Sequence, residues 1–164
     1  MENINQFFKI SRKQFDIDFA NFTNNTAKYE DIKLPKRATK GSAGYDFYAP
    51  FDFTVTPGHS IKIPTGIRIK LNARNVLLCM PRSSLGFKFK LKLDNTIGVI
   101  DSDYFYSDNK GHIWVSMTNM SSDKVLNIKK GEAFMQSIIV PFMLTVDDDA
   151  DGIRNGGMGS TNKS

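Results

Sequence analysis

Beyond residue 28 the chain is written in short runs rich in Ile, Val, Phe and Thr, each bounded by turn residues. The runs 52–56, 59–63, 67–71, 76–80, 87–93, 113–118, 125–128 and 136–142 each predict a strand. Pro57-Gly58, Pro64-Thr65-Gly66 and Lys129-Lys130-Gly131-Glu132 punctuate them. So many short strands without intervening helical periodicity imply an all-β protein, a jelly-roll-like antiparallel sandwich or barrel. No repeat of fixed period is visible. The opening differs. Ser11 followed by Gln14 makes a capping box, and Phe15, Phe19 and Phe22 recur at helical spacing, which predicts a short helix over 11–23. Phe15-Asp16-Ile17-Asp18-Phe19 also alternates as a strand does, so that alternative stays open. Residues 23–28, T-N-N-T-A-K, look like a linker. The expected organisation is an N-terminal extension with its helix (1–28), a β domain (29–144), and an acidic linker with a Gly-rich tail (145–164).

Composition narrows the class. A chain of 164 residues can bury roughly 70% of its unfolded surface, so its core needs no metal or disulfide. The single cysteine, Cys79, sits in the apolar run Val76-Leu77-Leu78-Cys79-Met80 and reads as a buried small hydrophobe. Neither a signal peptide nor an 18-residue apolar span is present, which points to a soluble protein of the cytoplasm without membrane association. The net charge of +5 and a sequence pI near 9.3 favour a polyanionic partner, either nucleic acid or a small molecule carrying several phosphates. Much of the excess lies in Phe87-Lys88-Phe89-Lys90-Leu91-Lys92-Leu93, whose strict alternation predicts an amphipathic strand with its lysines in water.

The stretch Asn95 to Tyr104, N-T-I-G-V-I-D-S-D-Y, is where chemistry is written. A β-branched run delivers Asp101 to the end of a strand, where a carboxylate can be held rigidly beside apolar neighbours and serve as a base. In extended chain Asp101 and Asp103 share one face and Ser102 and Tyr104 the other, unless a turn intervenes. The competing reading is a pair of solvated turn residues. Other motifs are missing: there is no phosphate-cradling G-x-x-x-x-G-K and no dinucleotide G-x-G-x-x-G. His59 and His112 lack the companions of a zinc site or a His-based triad and read as turn or strand-end residues. Asp147, Asp149, Asp151 and Gly152 imitate the start of a calcium loop, but Met158 stands where its bidentate glutamate is required, which leaves a solvated acidic connection.

Four further stretches have the chemistry of a polyphosphate site. Ser42-Ala43-Gly44-Tyr45-Asp46 is a turn entering a strand, with a carboxylate suited to a hydrated cation. Met80-Pro81-Arg82-Ser83-Ser84-Leu85-Gly86 ends a buried strand with a guanidinium and two hydroxyls, donors for phosphate oxygens. Gly131-Glu132-Ala133-Phe134-Met135-Gln136 brings an amide to the start of the last long strand. Arg154-Asn155-Gly156-Gly157-Met158-Gly159-Ser160-Thr161 is a Gly-rich tail with an arginine, two hydroxyls and exposed amides; such a tail is either disordered or closes over a ligand.

In order and spacing, these five stretches resemble the five motifs of the all-β dUTP diphosphatase (dUTPase) family, over about residues 29–164. G-V-I-D-S-D-Y and P-R-S-S-L-G carry most of the likeness. The resemblance implies that Asp101 deprotonates a water that attacks the α-phosphate of dUTP, leaving dUMP and pyrophosphate. It implies that Tyr104 packs under the deoxyribose and excludes a 2′-hydroxyl, and that Asn95, with the backbone of Ile97, Gly98 and Val99, reads the uracil edge. Arg82, Ser83, Ser84, Gln136 and Arg154, with Met158, Gly159 and Ser160 of the tail, match substrate-binding positions. Asp46 matches a carboxylate that orders waters around Mg2+, held mainly by the triphosphate. The resemblance further implies a homotrimer with shared active sites, and no obligatory nucleic acid.

The likeness has departures. Met158 stands where an aromatic commonly covers the uracil, Ala133 where an arginine is usual and Ser84 where a glycine is usual. The interval from Arg154 to Gly159 and the length of the hairpin 105–111 differ as well. Two other functions are weighed. A dCTP deaminase shares the fold, but the strand where that family carries its glutamate reads His112-Ile113-Trp114-Val115-Ser116-Met117-Thr118-Asn119, without an acid. A non-catalytic binding protein would dispense with Asp101 or Arg154, and both are present.

Overall fold

The computed structural model describes residues 5–22, 26–154 and 156. In chain order its elements are β1 (Gln6–Lys9), α1 (Arg12–Phe19), β2 (Lys36–Arg37), β3 (Tyr45–Tyr48), β4 (Phe53–Val55), β5 (Ser60–Pro64), β6 (Ile67–Lys70), β7 (Asn75–Pro81), α2 (Ser83–Phe89), β8 (Leu91–Leu93), β9 (Gly98–Ile100), β10 (Trp114–Asn119), β11 (Leu126–Ile128) and β12 (Ala133–Pro141). All pairings between them are antiparallel. The largest sheet orders its strands β2-β3-β12-β7-β9; β5-β10-β8 forms a second, and β11-β4 and β1-β6 are ribbons. The architecture is the jelly-roll-like antiparallel fold that the strand spacing predicts.

Alternation builds the core. β10 buries Val115, Met117 and Asn119 and turns Trp114, Ser116 and Thr118 the other way. In β12 the register against β3 shifts between Ala133 and Met135, and this bulge lets the consecutive Phe134 and Met135 both be fully buried. The same shift explains why alternation placed the start of that strand at 136 rather than at Ala133. Between β5 and β6 the chain passes from one sheet to another through Thr65 and Gly66. Gly66 has φ +77 and meets the Ile32 side chain within 3.0 Å of where a Cβ would stand, so the corner requires glycine.

The N-terminal residues pack into this body. β1 pairs along β6, with Phe7 opposite Ile69, and Ile10 is fully buried. In α1, Phe15 and Phe19 stack at 4.2 Å between centroids, four residues apart on the buried side. Ser11 caps the helix, accepting from the Gln14 amide at 3.1 Å. The Gln14 side chain does not reach back to close the box; it donates to Asp18 Oδ2 at 2.9 Å. The helix ends at Phe19, short of the predicted residue 23, and residues 23–25 of the expected linker lie outside the described ones. β1 has no counterpart in the sequence expectation.

One predicted strand is corrected. Residues 87–93 are the end of α2 followed by β8, hinged at Lys90 with φ +52. Leu85 and Phe89, four apart, face inward on the helix, while Phe87 is 82% exposed, which a strand alternating with lysines would not allow. Lys88, Lys90 and Lys92 do face water.

Candidate active site

β9 lies at the edge of the large sheet against β7, with Gly98 opposite Cys79 and Ile100 opposite Leu77. A Cβ on Gly98 would stand 3.1 Å from Cys79 Cβ and 3.9 Å from Asn95 Nδ2, so the close approach of the two strands depends on glycine. Burial pushes the Cys79 thiol up to about 12, which makes it an inert apolar wall. Gly98 and Ile100 point inward, Val99 outward, and Asp101 leaves the strand at its end.

A 3₁₀ turn, Ser102–Tyr106, follows at once, so the two carboxylates do not remain in extended register. Arg154 gathers them: Nη2 donates to Asp101 Oδ2 at 2.5 Å and Nε to Asp103 Oδ1 at 2.8 Å. The arginine side chain is 13% exposed and the carboxylates about half, so the guanidinium covers the pair from the cavity side. The turn also buries Tyr104. Its hydroxyl donates to the His112 carbonyl at 2.8 Å and accepts from Asn109 Nδ2 at 2.8 Å. Burial raises its pKa, offset in part by the Asn109 hydrogen bond, so the phenol stays a donor at neutral pH. Outside the turn, Arg68 lies 3.5 Å over the Phe105 ring and donates to its carbonyl at 2.7 Å.

These pieces enclose a cavity of about 510 Å³, lined by Asn95, Ile97, Gly98, Val99, Asp101, Tyr104 and Arg154 together with Ile113, Trp114 and Val115. It is the size of a small-ligand pocket. Its walls are mostly apolar, and the amide of Asn95 and the carboxylate of Asp101 are joined as polar points by Lys62, Asp94, Ser116 and Arg154.

A second group of residues comes together through register. Asp46 on β3, Gln136 on β12 and Met80 on β7 sit on one rung of the large sheet, and Arg82 follows just beyond β7. Arg82 Nε lies 3.1 Å from Asp46 Oδ1, Arg82 Nη1 donates to the Ala133 carbonyl at 3.3 Å, and Gln136 Nε2 donates to the Pro81 carbonyl at 3.2 Å. Asp46, Arg82 and Gln136, with Ser42, Gly44, Ser83 and Ser84, line an open cavity of about 320 Å³. The two cavities share none of their lining residues. Among the described residues, no group of three or more His, Cys, Asp or Glu stands ready to cage a metal ion. Asp46 is a lone carboxylate with one oxygen already facing Arg82. That donor set suits a magnesium ion that keeps its waters and takes its other ligands from phosphates.

The expected residues thus separate into a set around Asp101 and a set around Arg82, and Arg154 joins the first. Met158, Gly159 and Ser160 lie outside the described residues. Sequence reasoning missed Trp114, which lines the first cavity with Lys62 Nζ 5.1 Å from its ring. The alternation of β10 put this tryptophan on the face opposite Val115 and Met117, and that was the available signal. His112 and its partner Asp18 gave none, being 94 residues apart.

The dUTPase family model matches residues 30–161. The chain belongs to the dUTPase family. The deoxyuridine 5′-triphosphate nucleotidohydrolase of Lactococcus lactis is 40% identical to it over 139 residues, 82% of this chain and 92% of that one. The protein of the same name from Desulfitobacterium hafniense is 39% identical over 140 residues, 80% and 89% of the two chains. The crystal structure of the Streptococcus mutans dUTPase superposes with a TM-score of 0.66 at 31% identity, over 85% of this chain and 97% of that one. A dUTPase from a Staphylococcus aureus phage shares the fold at 19% identity and a TM-score of 0.65. The dUTPase match takes in both cavities and Arg154; β1 and α1 lie before it.

Proposed function

We propose that this chain hydrolyses dUTP to dUMP and pyrophosphate. The observation that carries the reading is the position of Asp101, at the exit of β9 and lining a nucleoside-sized cavity with the buried Tyr104. In this reading the Asn95 amide and the backbone of Ile97 to Val99 take the uracil edge. The buried Tyr104 ring lies under the deoxyribose and leaves no room for a 2′-hydroxyl. Asp101 accepts a proton from a water as that water attacks the α-phosphorus; the bond from the α-phosphorus to its bridging oxygen breaks, and pyrophosphate leaves. The Arg154 guanidinium occupies Asp101 Oδ2, an oxygen that the attacking water needs, so Arg154 gives up the carboxylates when substrate arrives and turns its charge to the phosphates.

Arg82, Ser83, Ser84 and Gln136 supply phosphate donors on the second cavity, and Asp46 would hold the water shell of Mg2+. When bound, that ion neutralises phosphate charge that would otherwise repel the attacking water. The phage dUTPase is described as coordinating a structural Mg(II) ion, and the same ion is the cofactor proposed here. Because the nucleoside side and the phosphate side of one chain open into separate cavities, one substrate is met by two copies, within a homotrimer whose tail, residues 154–164, closes the site. The site of action is the cytoplasm, neither membrane nor nucleic acid being required. Among the described residues no helix is long and apolar enough to cross a membrane.

The test is Asp101→Asn. Turnover of dUTP should fall by roughly two to four powers of ten while nucleotide binding persists. Near-normal turnover contradicts the role.

A further inference from the structure

We propose that Asp18, on the N-terminal helix before the family match, is a positioning residue for the sugar-discriminating Tyr104, acting through the side chain and backbone of His112. The inference rests on the reading of Tyr104 given above. It begins with a fully buried imidazole held at both nitrogens: His112 Nδ1 lies 2.5 Å from Asp18 Oδ2, and Nε2 accepts from the Gly66 amide at 2.8 Å. Since an amide N–H can only donate, Nε2 carries no proton, and the hydrogen sits on Nδ1, given to Asp18. Burial also pushes the His112 pKa down, which Asp18 offsets only in part, so the neutral ring is the resident form.

The backbone of the same residue faces the site. The His112 carbonyl accepts from the Tyr104 hydroxyl at 2.8 Å and from Asn109 Nδ2 at 3.0 Å, and Asn109 donates to the Tyr104 oxygen as well. Tyr104 therefore stands on the carbonyl of a residue whose side chain is fixed from the other end by Asp18. The Asp18 carboxylate is steadied in turn by Gln14 Nε2 at 2.9 Å, and Phe19 lies nearly parallel to the imidazole at 6.2 Å. None of α1 lies within the dUTPase match, which begins at residue 30. The extension thus reaches, through one histidine, the ring that reads the sugar.

Without Asp18 the Nδ1 hydrogen is buried with no acceptor. The ring can escape only by changing tautomer, which expels the Gly66 amide, or by turning, and either displaces the carbonyl beneath Tyr104. A rim displaced by a fraction of an ångström admits a 2′-hydroxyl, because discrimination by exclusion depends on close fit. The experiment is competition between dUTP and UTP, whose rate ratio does not depend on how much of the preparation is folded. Asp18→Leu, which keeps the branched heavy-atom skeleton but accepts no hydrogen bond, should lower the preference for dUTP about tenfold, with kcat on dUTP changed much less. Asp18→Asn, whose side-chain oxygen still accepts from Nδ1, should restore it to within about twofold. If Asp18→Leu yields no folded chain, Asp18→Ala decides by the same ratio. Tyr104→Ala is the reference. Should Tyr104→Ala lose the preference while the Asp18 variants keep it, the link through His112 is overturned and the reading of Tyr104 stands. If Asp18→Asn loses as much as Asp18→Leu, the hydrogen bond is not the carrier and the inference fails. If none of them changes the ratio, the reading of Tyr104 falls and takes the inference with it.

Discussion

Gly98 shows how far the site depends on single atoms. Its missing side chain lets β9 lie against Cys79 and keeps Asn95 at the cavity edge. Gly98→Ala would bring a methyl to 3.1 Å from Cys79 Cβ, and because that carbon is fixed to the β7 backbone, one of the two strands must give by a few tenths of an ångström. Overpacking of this kind costs about 1–3 kcal/mol, and the strand that moves is the one carrying Asp101. The expected result is a melting temperature several degrees lower and a KM for dUTP raised about tenfold; an unchanged KM in steady-state assays contradicts the assigned uracil contact. At this scale the sequence was most legible where chemistry is local. Asp101 and Tyr104 fall in one short run, and Arg82 stands beside Ser83, so residue type and spacing sufficed. Asp18 and His112 are joined only by the fold, and no periodicity links them.

Among the elements, those written by alternation were legible: β4 to β7 and β10 follow their apolar runs within a residue or two. α2 was not, because Leu85, Phe87 and Phe89 satisfy period two and the pair Leu85 and Phe89 also satisfies a helical turn. Tertiary packing of Leu85 and Phe89 decided between them. β1 was missed because its four residues gain stability by pairing with β6 and not from any local signal. The tail is the element whose role is most testable. Arg154, its first residue, lies on both carboxylates of the Asp101 turn. Deletion of residues 154–164 removes both that clamp and the phosphate contacts proposed for the tail. The shortened chain should keep its circular dichroism spectrum and lose turnover of dUTP by at least about a hundredfold. Full activity would mean that the tail takes no part in closing the site.

For the whole molecule, the buried His112 sets a pH dependence of stability. Its pKa is lowered in the fold, first by burial, with Asp18 pulling the other way. Between that lowered value and the ordinary value of about 6.5, the unfolded chain binds a proton that the folded chain refuses. Stability should therefore be full above about pH 6.5 and decline as the pH falls below it. Thermal melts at pH 7.5 and 5.5 measure the decline, and His112→Gln should flatten it in that window. An equally steep decline in the variant contradicts the assignment. Assembly is tested by complementation: Asp101→Asn and Arg82→Ala, each inactive alone, damage different cavities. Co-expressed, they should recover roughly a quarter of native turnover if random mixing restores intact sites between copies; no recovery would mean that each chain holds a complete site. The central claim is tested most directly by product analysis. The purified protein is incubated with magnesium and each deoxynucleoside triphosphate in turn. The account predicts dUMP and pyrophosphate from dUTP, and neither monophosphate nor pyrophosphate from the others. An inert dUTP, or dUTP appearing from dCTP, contradicts it.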